Sequence, residues 1–251
     1  MSIIDQRIQP LQQFFRSAPM PCPYLQGRIE RKLFTRLTEP SVANEVNSAL
    51  AQAGFRRSHD VVYRPVCPSC AACVPVRIPV DQFCMSRSFR RVLKRNADLT
   101  TSFAPAYGSQ EHYALFANYQ NMRHHESDMA RMTEDDYFAM VVDGRTKTYL
   151  SEARNDQGTL FAVMLIDSLA DGFSAVYSFF RAEDEARSLG SFMVLKLIEH
   201  CRAVGLSFVY LGYWISDSRK MSYKVRFQPL EMLGEDGWRS MALAEVKAKE
   251  S

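Results

Sequence analysis

Apolar positions recur along the chain with two periods, and the predicted elements follow from where one gives way to the other. Ile29, Leu33, Phe34 and Leu37 in RIERKLFTRL predict a strand over Arg28–Leu37. Thr38-Glu39-Pro40 reads as a helix start, with Thr38 as N-cap and Pro40 in the first turn, and Gly54 stops the helix after Ala53. Phe55–Tyr63 reads as a hairpin region, Val74–Val80 as a strand interrupted by prolines, Ser86–Asn96 as a helix and Asp98–Phe103 as a short strand. Pro105 and Gly108 break both periods, which predicts a domain boundary at 104/105. Two helices follow, Gln110–His125 and Thr133–Val142, the second opened by Thr133 and Asp136 in the manner of a capping box. Lys147–Ala153, Thr159–Asp167 and Gly172–Phe180 read as three strands joined by turns at Asn155–Gly158 and Asp171-Gly172. Leu189, Phe192, Met193, Leu197 and Ile198 lie near helical spacing in Ser188–Ala203, which Gly205 ends. Leu206–Leu211 and Phe227–Leu233 read as buried strands.

The predicted fold class is α+β. Residues 105–251 follow the order helix, helix, three strands, helix, strand, short helix, strand. That order matches the GCN5-related N-acetyltransferase-like (GNAT-like) architecture, a mixed sheet flanked by helices. Residues 1–104 form a smaller cysteine-containing α+β domain. Fold analogy alone assigns no chemistry.

Composition narrows the reading. The chain has 251 residues, 47% hydrophobic and 24% charged, as expected of a globular protein with a sizeable core. A net charge of +3 is too small to announce a nucleic-acid binder, so any such contact must come from a local patch. Asp5 and Pro10 interrupt the N-terminal stretch and no apolar h-region follows, so no secretory signal is expected. No apolar run approaches the roughly 18–20 residues of a membrane helix, and a cytoplasmic protein without membrane contact is expected. In a reducing compartment the six cysteines point to metal binding, redox chemistry or tight turns rather than disulfides.

Four segments carry candidate chemistry. Cys67, Cys70 and Cys73 are spaced C-x2-C-x2-C, and Cys22 in Pro21-Cys22-Pro23 is the natural fourth ligand for a structural zinc or an iron–sulfur cluster. The alternative is a metal-free loop with its small thiols packed inside. On a helix, Arg87, Arg90, Arg91 and Lys94 form one stripe, suited to nucleic-acid phosphates, to a substrate carboxylate, or to nothing but solvent. Leu211–Phe227 gathers Tyr213, Trp214, Lys220, Tyr223 and Lys224 after a strand, where rings can stack on a base and cations can hold phosphates. The alternative there is an amphipathic helix packing Met221 and Tyr223 inward. Arg187 and Gly190 open the long helix, whose N-terminal N–H groups can bind an anion. His124 and His125 are adjacent, about 100° apart on a helix, so they do not easily share one site.

Cys22–Leu37, Gly54–Phe83, Ser86–Leu99 and Tyr210–Leu233 together resemble the bacterial aspartate/glutamate leucyltransferases, relatives of the eukaryotic arginyl-tRNA–protein transferases. The resemblance spans most of the chain in order. It implies transfer of leucine from leucyl-tRNA to the α-amine of proteins beginning with Asp or Glu, which marks them for degradation through an N-degron. It implies no required cofactor, because the ester of an aminoacyl-tRNA is already activated. Under it, Arg77, Arg87 or Arg90 would take the acceptor carboxylate, Asp217 would be the base, and Tyr213 would donate to the leaving ribose oxygen. Arg91, Lys94, Trp214, Lys220, Tyr223, Lys224, Arg187 and Gly190 would hold the tRNA. The competing readings are an arginyl-tRNA–protein transferase, an acetyl-CoA N-acetyltransferase of the GNAT type, and a non-catalytic N-degron or RNA-binding module.

Overall fold

A computed structural model of the chain describes residues 12–142 and 145–241. The N-terminal stretch read above for a signal, through Pro10, lies outside the described residues. The first elements are β1 (Phe15–Arg16), β2 (Met20–Pro21), β3 (Ile29–Glu30), β4 (Lys32–Arg36), α1 (Ala43–Gln52), β5 (Arg56–Ser58) and β6 (Val61–Pro65). They form an antiparallel sheet ordered β1-β4-β6-β5, with β2 and β3 paired apart. The α1 helix starts after Thr38-Glu39-Pro40, with Val42 as an N-cap lacking a side-chain bond. Gly54 ends it in the left-handed region, at φ 81°.

The second sheet is built from β7 (Val74–Pro79), β8 (Thr100–Pro105), β9 (Thr148–Arg154), β10 (Leu160–Ser168), β11 (Gly172–Phe180), β12 (Phe208–Trp214), β13 (Glu231–Gly234) and β14 (Gly237–Ser240). Its order is β14-β13-β7-β12-β11-β10-β9-β8, antiparallel except for β11 and β12. Strand alternation in β10 sends Ala162, Met164 and Ile166 to one face and Val163 and Leu165 to the other. The first face packs on α2 (Arg87–Arg95) and α5 (Leu189–Ala203), and the second on α3 (Gln110–Arg123) and α4 (Glu134–Val142). No helix among the described residues is long and apolar enough to cross a membrane.

The α+β class and the helix-flanked mixed sheet are as expected, and so is the element order from residue 105 as far as β13, to which β14 adds one strand. The expected boundary at 104/105 lies between two residues of one strand. It falls inside β8, and β7 sits in mid-sheet between β13 and β12. The N-terminal third is therefore fused into the C-terminal sheet. A second bond between the two parts is buried: Arg57 Nε and Nη2 grip Asp167 of β10 at 2.5 and 2.6 Å, both side chains being almost fully inaccessible.

Candidate functional site

The parallel pair β11 and β12 is in register only from Gly172↔Phe208 to Ser174↔Tyr210. Beyond that point the strands part, and a cavity of about 320 Å³ opens between them. Its walls come from Ala175–Ser178 of β11, Leu211 of β12, the start of α5 and the last turn of α3. The register of β12 against β7 shifts between Tyr210 and Gly212, and Gly212 is left-handed, with φ 73°. This bulge turns the strand aside and leaves room for one long side chain from the other sheet.

That side chain is Arg56 of β5. Its Nη2 donates to the carbonyl of Val176, two residues past the last position of β11 in register with β12. Lys224 approaches from the short 3-10 turn Tyr223–Arg226, which follows α6 (Arg219–Ser222). It is 2% exposed, and its Nζ donates to Tyr213 O at 2.5 Å. Burial, then the charge of Arg56, hold its ammonium well below the usual lysine range. No carboxylate among the described residues pairs with Arg56 or Lys224. Both line the cavity.

The other walls supply rings and donors. Gln120, fully buried, donates to the Tyr177 hydroxyl oxygen at 2.6 Å, which leaves the Tyr177 proton available to the cavity. Tyr119 packs on Phe180 at 4.8 Å between centroids, and Tyr223 stands beside them. His124 lines the cavity, and burial, Lys220 and Arg123 depress its pKa. Arg123 itself is bonded to Glu185 at 3.0 Å. The first turn of α5 carries no side-chain cap, and Ser188–Ser191 face the cavity, so backbone N–H groups of this 15-residue helix open onto it. An arginine and a buried lysine at the floor, oriented donors on the walls and a helix N-terminus suit a substrate that brings a carboxylate and develops an oxyanion.

The family model for the C terminus of arginine-tRNA-protein transferase matches residues 111–234, and the model for its N terminus matches residues 20–91. The chain belongs to the arginine-tRNA-protein transferase family. It is accordingly an enzyme of the aminoacyltransferase class. An aspartate/glutamate leucyltransferase from Paramagnetospirillum magneticum is 51% identical over 229 residues, 91% of this chain and 93% of that protein. One from Parvibaculum lavamentivorans is 50% identical over 236 residues, 94% of this chain and 98% of that protein. Among solved structures, the C-terminal domain of a putative lysylphosphatidylglycerol synthetase from Agrobacterium fabrum matches at TM-score 0.48 and 16% identity, over 81% of this chain and 67% of that one.

Of the residues that the sequence singled out in this transferase, Lys220, Tyr223, Lys224, Gly190 and His124 meet at the cavity, and the exposed His125 does not. Tyr213 and Trp214 lie in the strand rather than in the connection after it. The apolar run continues through Ile215, so both rings belong to β12 and are buried. The Tyr213 hydroxyl lies 3.0 Å from the carbonyls of Gly54 and Tyr63, where it ties β12 to the N-terminal hairpin. Asp217 is exposed, accepts a bond from Ser216 at 3.0 Å, and does not line the cavity.

Arg77 lies away from the cavity. Its Nε donates to Glu231 at 2.7 Å, its Nη1 lies 3.1 Å from the Tyr210 hydroxyl, and its guanidinium sits 3.6 Å from the Phe208 ring centroid and 4.4 Å from that of Trp238. A cation so fully engaged locks β13 to β7 and has no room for an incoming carboxylate. Arg187 bonds Asn96 at 2.9 Å and Asp98, joining the C-terminal end of α2 to the start of α5. Arg87, Arg90, Arg91 and Lys94 are all exposed on α2, which Ser86 caps through the Phe89 N–H at 3.2 Å. None of the four is ion-paired among the described residues. Arg95 donates to Ala186 O and Asn96 to Arg187 O at 2.8 Å, so the end of this basic helix abuts the cavity rim at Asp184–Ser188.

Cys22, Cys67, Cys70 and Cys73 line one small cavity of about 50 Å³. The four thiols are a donor set that suits zinc or an iron–sulfur cluster. Burial and then the three other cysteines push the Cys73 thiol up to about 12, the direction a bound cation would reverse. Yet no group of three His, Cys, Asp or Glu among the described residues is placed to hold a metal ion.

Arg56, the floor of the cavity, escaped the sequence reading. A signal was present: Arg56 and Arg57 are consecutive in a strand, so they must point to opposite faces. Arg57 meets Asp167, and Arg56 meets only the Val176 carbonyl, with no carboxylate paired to it among the described residues.

Proposed function

We propose that this enzyme transfers leucine from leucyl-tRNA to the α-amine of proteins beginning with Asp or Glu, in the cytoplasm, and so marks them for degradation. The observation that carries this reading is the cavity floor, where Arg56 and Lys224 pair with no carboxylate among the described residues, in a protein about half identical to leucyltransferases along nearly its whole length.

The amine nitrogen attacks the ester carbonyl of the charged tRNA. An N–C bond forms, the C–O bond to the ribose breaks, and the amine proton ends on the ribose oxygen. An α-amine has a reference pKa of about 7.7–8.0, and cations nearby lower it further, so a neutral nucleophile is available at cellular pH. What remains is positioning and stabilisation of the tetrahedral oxyanion. Tyr177 and the N–H groups at the start of α5 are the donors at hand. The base role assigned to Asp217 from sequence passes to a group inside the cavity, since Asp217 lies outside it. The exposed stripe of Arg87, Arg90, Arg91 and Lys94 lies where a tRNA acceptor stem would run towards the rim. A metal at the four cysteines would be structural, because the ester needs no further activation.

The test is incubation of the purified protein with labelled leucyl-tRNA and peptides beginning Asp, Glu or Asn. Label on the acidic peptides supports the reading. Transfer from arginyl-tRNA in its place would correct the donor, and no transfer from either would overturn it.

A further inference from the structure

We propose that Arg56 and Lys224 together form the subsite for the side-chain carboxylate of the acceptor's first residue. The proposal deepens the transfer reaction above and rests on it. Arg56 reaches the cavity from the N-terminal sheet by passing over Gly212, where any Cβ would collide with its Nη1. The guanidinium is thus held in the split between β11 and β12, with Nη2 on Val176 O and Nη1 against Gly212, and it forms part of the cavity lining. A planar fork is the group that reads a carboxylate with two parallel bonds. Lys224 adds a second donor at the same depth, held in direction by Tyr213 O.

Depth distinguishes this subsite from the tRNA surface. Lys220 and the α2 stripe are exposed and can meet a polyanion, whereas Lys224 is buried and can meet only a small group that enters the cavity. The Arg56 charge stands beside a buried amine that it keeps from charging, with no carboxylate paired to either among the described residues, and an entering carboxylate relieves that cost. An amide of the same shape does not, so Asp and Asn are told apart by charge rather than size.

The same arrangement couples binding to a proton. Arg56 from β5 disfavours charge on Lys224, while Cys73 from the cysteine loop weakly favours it. The remaining ionisable neighbours in the cavity are Tyr177 from β11, Tyr119, Arg123 and His124 from α3, Asp184 and Glu185 from the rim, and Lys220 and Tyr223 from the segment after β12. A bound carboxylate offsets the Arg56 charge, so Lys224 takes up a proton as an acidic acceptor binds.

The experiment compares wild type, Arg56→Gln and Lys224→Met, all as full chain, for leucine transfer to peptides that differ only in Asp or Asn at the first position. In either variant the Asp-over-Asn ratio of kcat/KM should fall by about 30-fold or more, with KM for leucyl-tRNA unchanged. A folded variant of either kind that keeps the wild-type ratio overturns the proposal. Wild type that transfers to neither peptide overturns the underlying reading instead. If the variants do not fold, calorimetry on wild type decides. Binding of the Asp peptide should show heats that vary with the ionisation enthalpy of the buffer, with proton uptake absent for the Asn peptide. Buffer-independent heat for the Asp peptide overturns the proposal.

Discussion

Gly212 has no side chain, and the Arg56 guanidinium fills the place where one would be. Gly212 is also left-handed, at φ 73°, so two independent constraints exclude any other residue there. Gly212→Ala should therefore cost about 1–3 kcal/mol in backbone strain and also displace Arg56 from the cavity. The expected outcome is a folded protein with a lowered denaturant midpoint and an acceptor preference as weak as that of Arg56→Gln. A variant with full preference would show that Arg56 reaches the cavity by another path.

The parts legible in the sequence were those set by near neighbours along the chain. Ser86 caps α2, and the Thr133 and Asp136 side chains each bond the other's backbone N–H, at 3.2 and 2.9 Å. The apolar spacing of α5 likewise survives intact. The parts that were not legible depend on partners far away. Nothing local says that β7 pairs with β12 and β13, so the N-terminal third looked separate. The hairpin of β13 and β14 is a different case: its turn, Glu235-Asp236, is local, and the single strand expected over Phe227–Leu233 covers only its first arm. Tyr213 and Trp214 stand out by composition, as aromatic residues beside basic ones, yet the unbroken apolar run FVYLGYW already marks a buried strand. Arg77 was read by charge alone, although Glu231 and Asp171 that answer it lie far along the sequence.

The grip of Arg57 on Asp167 decides how firmly the hairpin carrying Arg56 sits on the large sheet. Asp167 also accepts from Asn47 at 3.3 Å and Thr148 at 3.1 Å, so the carboxylate joins α1, β5 and β9. Asp167→Asn should leave the Arg57 charge buried without its counter-ion and cost about 3–5 kcal/mol. Urea unfolding followed by far-UV circular dichroism measures this. A loss under about 1 kcal/mol, the range of exposed pairs, would mean that water reaches the pair.

Arg77 supplies a control for the acceptor subsite. It is engaged with Glu231, Tyr210 and two aromatic rings, so Arg77→Ala should lower stability and leave the Asp-over-Asn preference intact. Peptide competition under conditions where the variant is folded checks this, and a collapse of the preference would return Arg77 to the site.

The α2 stripe makes a prediction of a different kind, because exposed cations act through counterion release. Replacing Arg87, Arg90, Arg91 and Lys94 with Ala should weaken leucyl-tRNA binding and lower the slope of log affinity against log salt by about 1 for each phosphate no longer neutralised. Acceptor preference should stay the same, since none of the four lines the cavity. Filter binding at several salt concentrations separates the outcomes. An unchanged slope would assign the stripe to solvent.

Lys224 links the site to stability. Its folded pKa lies well below the ordinary lysine value, so at intermediate pH the unfolded chain holds a proton there that the folded chain does not. Stability must then rise with pH, from the depressed folded pKa up to the unfolded value of about 10.4, and the penalty is greatest below that window, where the buried amine must be charged. Lys224→Met removes the titrating group and keeps a similar unbranched shape, so it should raise stability at neutral pH and flatten the profile above it. Denaturant midpoints of both proteins, taken at several pH values across that window, read the difference directly. Parallel profiles would mean that Lys224 keeps its charge in the folded protein, and the two cations at the cavity floor would then need a counter-ion already in place.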